Sequence, residues 1–494
     1  MPRYTIQSVE LLIRTTPPNR TAFHIGGVSG AQGSSIPQGS RVEPKPTDSS
    51  PAPAKRRPRG ILYAQLQLTD DRGRSAWGIA ADRPSFGWLD KRKQYSPDQK
   101  LSRLFQLVRA ARDVYLADSF PSPFAHWQHC LPEIERIARR DDHESLSAAY
   151  ASALLERAMI DAVCRLHNVP FFAAMQAGLL GFEASRVAPT AKLALPARPR
   201  TNFAIRHTVG LSDPLRDSDV APGEQVRDGE PESLQGYIQR DGLRYFKVKI
   251  GGNAEEDLER LARIWELVAR QDMPVITLDG NESYSDIDAF AKFLERLERE
   301  QLGLFQHIAF VEQPLTRQLT HDPRTRAAVT RLARRKALVI DEADGHVDAF
   351  AEAFEIGYRG VSHKNCKGVF KSLLNAVRVQ QAADQGAFQT GEDLSNMPLV
   401  SLHQDFVALG LLDIEHCERN GHHYSLGLSH LTAGEQVRAL ESHGDLYERR
   451  GEEVFLKIRN GQVHCSSLQC PGLGVLFQPD REGLTPLEDW QVAW

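Results

Sequence analysis

The spacing of apolar and polar residues changes along the chain. Apolar and polar residues alternate at 4–16 and again at 61–80, where residues 71–73 supply a turn between two strands. Residues 97–186 instead carry apolar residues at the three- and four-residue spacing of helices. This part of the chain is therefore predicted to form strands followed by helices, an α+β module.

From about residue 203 the pattern changes, and short apolar segments are each followed by a segment with helical spacing. Eight β-α units over about 230 residues fit a (β/α)8 barrel. A doubly wound sheet is the structural alternative, but it gives no reason for polar residues at so many strand ends. The predicted strand segments are 203–211, 245–251, 274–281, 308–314, 337–343, 360–368, 387–393 and 411–416.

Residues 17–59 show neither strand alternation nor helical spacing and are rich in Pro, Gly, Ser and Arg. A stretch of this length without periodicity indicates either disorder or a functional lid. It ends in a basic cluster at 55–59, which we interpret as a solvated linker because no other part of the chain is basic.

Composition narrows the function classes. The 494 residues carry 60 Lys and Arg against 64 Asp and Glu, a formal net charge of -4, which argues against a nucleic-acid binder. No apolar run is long enough for a membrane span, and the N-terminus lacks the apolar core of a secretory signal. The six cysteines are scattered and typical of reduced thiols. We expect a cytoplasmic enzyme that contacts neither nucleic acid nor membrane.

Three carboxylates end successive predicted strands. Asp279, Glu312 and Asp341 are separated by 33 and 29 residues, one β-α unit each. At one barrel mouth they would raise one another's pKa unless a cation neutralised them. Mg²⁺ suits such oxygen ligands, and Mn²⁺ is the alternative ion. The competing interpretation is that each residue caps a helix or forms a loop ion pair.

Lysines lie on both sides of these carboxylates. In the segment 245–251, Lys247 and Lys249 share one face, and the apolar residues share the other, so both lysines are predicted to point into the barrel. Each would lower the pKa of the other, which favours a neutral amine that acts as a base. An exposed amphipathic strand is the alternative. Lys364 falls four strands further round, and Lys367 is interpreted as a group that tunes Lys364 or pairs with an acid.

Together these motifs resemble the enolase superfamily, in the branch of the muconate lactonizing enzymes, mandelate racemases, dipeptide epimerases and o-succinylbenzoate synthases. The resemblance covers nearly the whole chain. The motifs that carry it are KVKIG (247–251), LDGNE (278–282), FVEQP (310–314), IDEAD (340–344), HKNCKG (363–368), LLERAMIDAVCRLHNVP (154–170) and PGLGV (471–475).

The resemblance implies a domain organisation and a mechanism. A capping domain at 1–186, completed by a C-terminal return at 431–494, would cover a barrel at 187–430. One Mg²⁺ per site would be held by the three carboxylates, and loss of an α-proton would give an enediolate. Lys249 would be the base on one face, Lys364 would be the acid or base on the other, and Lys247 would tune Lys249 or touch the substrate carboxylate.

Further residues are expected to support the substrate. The lid at 17–59 would close over it, with Phe23 and His24 as contacts. Asn281 and Lys367 lie within the matching motifs. Glu392, Asp393 and Glu415 are predicted to end strands seven and eight, where they would bind substrate or donate a proton. The histidines after strand eight suggest a second metal, but a solvated loop is favoured; they are His416, His422 and His423.

The leading functional hypothesis is Mg²⁺-dependent racemisation or epimerisation of a small-molecule carboxylate, of the N-acyl amino acid or dipeptide type. The alternative is a lyase, dehydratase or cycloisomerase that uses the same enediolate. A non-enzymatic binding barrel would show no metal and little effect of removing Lys249. The resemblance also implies a homo-oligomer.

Overall fold

The computed structural model describes residues 3–21 and 59–490 of the chain. Phe23, His24 and most of the predicted lid at 17–59 lie outside the described residues. Within the described ranges, no helix combines the length and the apolar character that crossing a bilayer requires.

The N-terminal part is an antiparallel sheet covered on one side by helices. Gly78 shows how closely the two layers meet, because a Cβ atom there would lie 2.1 Å from the backbone oxygen of Ala158. The strands are β1 (Tyr4–Thr16), β2 (Arg59–Asp70) and β3 (Ser75–Asp82), and the helices are α1 (Phe86–Leu89), α2 (Pro97–Tyr115), α3 (Pro123–Arg140), α4 (Ser145–Leu166) and α5 (Phe171–Gln176).

Eight parallel strands then form a closed barrel, each paired with the next and the last paired with the first. The closing register joins His416 to Ala204. The predicted barrel with an α+β cap is therefore confirmed. The strands are β4 (Asn202–Val209), β5 (Tyr245–Lys249), β6 (Val275–Asp279), β7 (Ile308–Glu312), β8 (Ala337–Ile340), β9 (Gly360–His363), β10 (Phe388–Gly391) and β11 (His416–Arg419).

Helices surround this barrel and bury their apolar faces against the strands. They are α6 (Leu234–Asp241), α7 (Ala254–Val268), α8 (Ile287–Glu300), α9 (Leu302–His307), α10 (Arg317–Thr320), α11 (Arg326–Ala333), α12 (Ala349–Ile356), α13 (Val369–Gln381) and α14 (Val400–Leu411).

The eighth strand lies later in the chain than the sequence predicted. The segment 411–416 was expected to be a strand, but Leu411 ends helix α14 and the strand begins only at His416. Every residue of α14 is buried, and its apolar last turn continues into Leu412 and Ile414, so the sequence shows no clear boundary between helix and strand. As a result, Glu415 precedes the strand instead of ending it.

The C-terminal part returns to the capping sheet. Strand β14 adds to the barrel by pairing antiparallel with β4, and β15 pairs with β1, so that the capping sheet has the order β15-β1-β2-β3. The remaining elements are α15 (Gly421–Tyr424), α16 (Ala433–Ser442), β12 (Tyr447–Arg450), β13 (Glu453–Leu456), β14 (Gln462–His464) and β15 (Thr485–Pro486).

A buried carboxylate joins the cap to the barrel. Glu156 on α4 accepts a hydrogen bond of 2.6 Å from the backbone N–H of Phe370, in the first turn of α13. Burial raises the pKa of Glu156 to about 7, although the N–H groups at the helix terminus and nearby cations oppose the rise. The contact places α4 beside the loop that carries Lys364 and Lys367.

We predict that Glu156→Gln makes the protein less sensitive to pH. A folded-state pKa above the unfolded one adds stability below about pH 4.5, which is lost as pH rises through about 7. The loss is at most about 3 kcal/mol. Urea unfolding between pH 4.5 and 8 should therefore show a decline in stability that is smaller in Glu156→Gln than in the wild type. The exposed Glu259→Gln is the control, and an unchanged decline in Glu156→Gln would contradict the assignment.

Candidate active site

A single lysine lies at the centre of the barrel mouth. Lys247 is fully buried, because the alternate residues Phe246 and Val248 take the outward face of β5 against the helices. Its ammonium group contacts four buried carboxylates, on four different strands or the residues just after them. The distances from Nζ are 2.9 Å to Asp279, 2.7 Å to Glu312, 2.7 Å to Glu392 and 2.8 Å to Glu418.

This surrounding fixes the charge of Lys247. Burial alone lowers the pKa of its amine, but the four carboxylates outweigh burial and raise that pKa well above the ordinary value. The net shift is opposite to the lowered pKa that the sequence analysis expected for Lys247, because the nearer anions dominate. These carboxylates favour the charged form of Lys247, which holds the ring of acids together.

Lys249 ends the same strand on the same inward face. Its ammonium group donates to Asp279 at 2.6 Å and to the Oδ1 atom of Asn281 at 2.7 Å. The amide of Asn281 in turn donates to Glu342 at 2.9 Å. Lys249, Asp279 and Glu312 are register partners across β5, β6 and β7, so the three side chains lie next to one another at the strand ends.

Lys364 lies across the mouth from Lys249, because β9 is four strands away from β5 in the closed ring. Its Nζ atom contacts Asp341 at 2.6 Å. Burial lowers the pKa of Lys364, but Asp341 reverses the effect and raises the pKa above the usual value. Lys367 supports the same carboxylate at 3.1 Å and donates to Ser362 at 2.6 Å.

The pKa values of the three predicted metal ligands shift in different directions. Burial raises the pKa of each, but lysines outweigh it for Asp279 and Asp341, whose pKa values are lowered. For Glu312, burial and the neighbouring Asp279 and Glu392 carboxylates outweigh Lys247, and its pKa rises well above the ordinary value. The surroundings therefore disfavour the ionised form of Glu312, which a further cation would stabilise.

These carboxylates suit a hard divalent cation in kind and in charge. All three are buried carboxylates at the ends of adjacent strands, and such an ion would stabilise the ionised form of Glu312. Among the described residues, however, the three do not bring their oxygens within 4.8 Å of one another. Lys247 contacts Asp279 and Glu312, and Lys364 contacts Asp341.

The capping domain covers this mouth. Trp88 on α1 places its ring 4.3 Å from the Nζ atom of Lys364, a cation–π contact. Lys91, just after α1, donates to the backbone oxygen of Asn281 at 2.6 Å and to Glu342 at 2.8 Å. The sequence analysis did not single out Trp88 or Lys91, since a four-residue helix carries no readable period.

Both the sequence and the structure resemble those of known proteins. Residues 231–369 match the family model described as Enolase C-terminal domain-like. A stretch of 112 residues is 38% identical to the L-Lys-D/L-Arg epimerase of Methylococcus capsulatus, which is 23% of this chain and 28% of that protein. The chain thus spans little more than a quarter of the curated relative that it matches.

Solved structures share the whole architecture. The 2-chloromuconate cycloisomerase of Rhodococcus opacus 1CP superposes with a TM-score of 0.57 over 97% of this chain and 98% of its own, at 15% identity. A Pseudomonas fluorescens Pf0-1 enolase with bound magnesium, potassium and tartrate gives 0.54 over 97% and 91%, at 12% identity. Residues 231–369 are thus similar to the enolase superfamily, and the whole chain shares the fold of solved mandelate racemase and muconate lactonizing enzyme structures.

Two residues of this site were not identified from the sequence. Arg206 on β4 forms a buried ion pair with Glu392 and donates to the backbone oxygen of Gly391 at 2.8 Å. Glu418 on β11 accepts from Thr208 at 2.7 Å in addition to Lys247. Arg206 could have been recognised as a charged residue within a mostly apolar predicted strand. Glu418 could not, because it lies beyond the predicted end of strand eight.

Several predictions after strand eight need correction. Glu415 is exposed and precedes β11, so it lies at the opposite end of the barrel from the mouth. His422 and His423 are not in a solvated loop, because they belong to α15 and their ring nitrogens are buried. The Nδ1 atom of His416, at the start of β11, lies 3.1 Å from the Nη1 atom of Arg206.

We predict different outcomes for two neighbouring substitutions. Glu418→Gln should lower the free energy of unfolding by about 1–3 kcal/mol at pH 7, since it weakens a buried charged hydrogen-bond network. Glu415→Gln should change it by less than about 0.5 kcal/mol, as surface changes usually do. Urea unfolding of both variants tests this, and an equal loss in both would show that β11 is wrongly placed.

Proposed function

We propose that the protein is an enzyme that removes the proton next to the carboxylate of a small-molecule substrate, and that it racemises or epimerises that carbon. The observation that carries the proposal is the placement of Lys249 and Lys364, two buried amines on opposite walls of one barrel mouth. Two such groups suit removal of a proton from one face of a substrate and its return to the other.

The supporting residues divide into three tasks. Asp279 and Asn281 hold the amine of Lys249, and Asp341 holds that of Lys364, so each is oriented before substrate binds. Lys247 keeps the acids in place and adds fixed positive charge at the point where an enediolate would develop negative charge. Trp88 and Lys91 cover the mouth and limit the access of water.

Asp279, Glu312 and Asp341 are proposed as the residues that hold one Mg²⁺. When bound, such an ion supplies Lewis-acid stabilisation of the substrate's carboxylate oxygens as the α-proton leaves. The argument from the chain itself is the raised pKa of Glu312, whose ionised form burial and the neighbouring carboxylates disfavour and a bound cation would stabilise.

A dipeptide or related amino-acid derivative is the proposed substrate class. The partial similarity to the L-Lys-D/L-Arg epimerase favours it over other carboxylates. Lyase or cycloisomerase chemistry would start with the same proton removal and is the alternative. The two differ in product, because an epimerase returns the inverted substrate and a lyase yields an unsaturated or cyclised acid.

We predict that the two lysines act on opposite faces. In D₂O the wild-type protein should incorporate deuterium at the α-carbon of an active dipeptide, and NMR detects the exchange. Lys249→Gln should suppress exchange from one epimer and Lys364→Gln from the other, each by at least about 100-fold, the range of general base catalysis. The exposed Lys292→Gln is the control. If no dipeptide, N-acyl amino acid or acid sugar exchanges its α-proton, proton abstraction is excluded.

We predict that Mg²⁺ binding depends on Glu312. Calorimetric titration of the full-length protein should show one Mg²⁺ per chain, and Glu312→Gln should weaken binding by at least about tenfold, that is, about 1.4 kcal/mol. Glu415→Gln, at the other end of the barrel, should bind as the wild type does. Equal affinity in all three proteins would remove the metal assignment but would leave the lysine experiment informative.

A further inference from the structure

A group of three histidines lies on the outer side of the barrel wall. His207 follows Arg206 on β4, and since Arg206 and Thr208 both reach inward, His207 faces outward. His422 and His423 on α15 meet it there. The ring centroids of His207 and His423 are 4.2 Å apart, and those of His422 and His423 are 4.9 Å apart. One nitrogen from each of the three lies within 4.8 Å of the others.

The ring nitrogens of this group lack hydrogen-bond partners. Within residues 3–21 and 59–490, the Nδ1 atom of His207 and both nitrogens of His422 and of His423 are buried and bond to nothing. The buried His403 differs, because both of its nitrogens are paired, one with a backbone oxygen at 2.9 Å and one with a tyrosine hydroxyl at 2.8 Å. Buried polar atoms are normally paired, so a cluster of five unpaired nitrogens calls for a ligand.

The three imidazoles are neutral, the form in which histidine binds metals. Burial and neighbouring cations lower the pKa of His422 to about 3 and the pKa values of His207 and His423 well below 6.5. The arginines near these histidines do not give the region a net positive charge, because each forms an ion pair with a carboxylate. The pairs are Arg20 with Asp228 at 2.5 Å, Arg240 with Asp241 at 2.7 Å and Arg450 with Glu230 at 3.0 Å.

We propose that His207, His422 and His423 bind a zinc ion. Three imidazole nitrogens suit Zn²⁺ and not Mg²⁺, which prefers oxygen ligands. Tetrahedral Zn²⁺ at its usual bond lengths places its ligand nitrogens about 3.4 Å apart, so modest ring rotations from the present spacing suffice. A cavity of about 20 Å³ that borders His207 and His423 has room for one ion or water. Three protein ligands leave a fourth position for water.

This zinc site would hold together the two strands that close the barrel. His207 belongs to the first barrel strand, and α15 directly follows the last. Two residues close to these histidines in the sequence donate hydrogen bonds to Glu418. They are Thr208, at 2.7 Å, and Asn420, at 3.3 Å. The site is thus separate from the carboxylate cluster but stabilises one of its members, and it does not depend on the proposed reaction.

Zinc binding is tested on the full-length protein after treatment with a chelator. Titration with Zn²⁺ should show one ion per chain with a dissociation constant of about 1 μM or tighter, and excess Mg²⁺ should not compete. Replacement by Co²⁺ should give the intense visible absorption of a four-coordinate site. His422→Phe and His423→Phe keep an aromatic ring but remove the ligands, and each should weaken zinc binding by at least about 100-fold, more than the loss of a supporting hydrogen bond does.

The control addresses a second group of potential ligands. His321, His346 and Glu352 also lie within 4.8 Å of one another, but at the surface. His346→Phe should retain the zinc site, and circular dichroism should show that all variants remain folded. The proposal is overturned if the wild type binds no stoichiometric zinc, if His346→Phe abolishes binding, or if folded His422→Phe and His423→Phe bind zinc as the wild type does.

Discussion

The structure of the barrel mouth depends on one buried cation. Four carboxylates within 3 Å of Lys247 would repel one another strongly in a medium of low polarity, and no other group in the described part of the chain contacts all four. Because those acids come from β6, β7, the turn after β10, and β11, Lys247 on β5 links five of the eight strands by charge. The barrel thus uses electrostatic attraction at its open end, where apolar packing is missing.

The remaining lysines extend this arrangement in two directions. Lys249 and Asn281 continue it toward the cap through Glu342 and Lys91, while Lys364 and Lys367 surround Asp341 on the far wall. Each amine of the proposed acid–base pair therefore faces an acid and has few alternative positions. Such prior orientation is what a site needs when it must distinguish the two faces of one carbon.

The sequence predicted the barrel and most of its inner ring because each polar residue ended an apolar strand at regular spacing. Asp279, Glu312 and Lys247 could be read in this way. Glu418 could not, because the apolar end of helix α14 continues into the segment predicted as strand eight, which placed that strand too early in the chain. The grouping of His207 with α15 was also out of reach, since it depends on strand closure between residues far apart in the chain.

Barrel closure also determines the order in which the molecule can be completed. Strand β4 meets β11 only after more than 200 further residues have been added, and β1 waits for its partner β15 near the end of the described chain. Contacts of such long sequence separation form late and slowly. During synthesis, Lys247 must therefore remain without Glu418 until β11 has emerged, and the nascent barrel is exposed with its innermost charges unmatched.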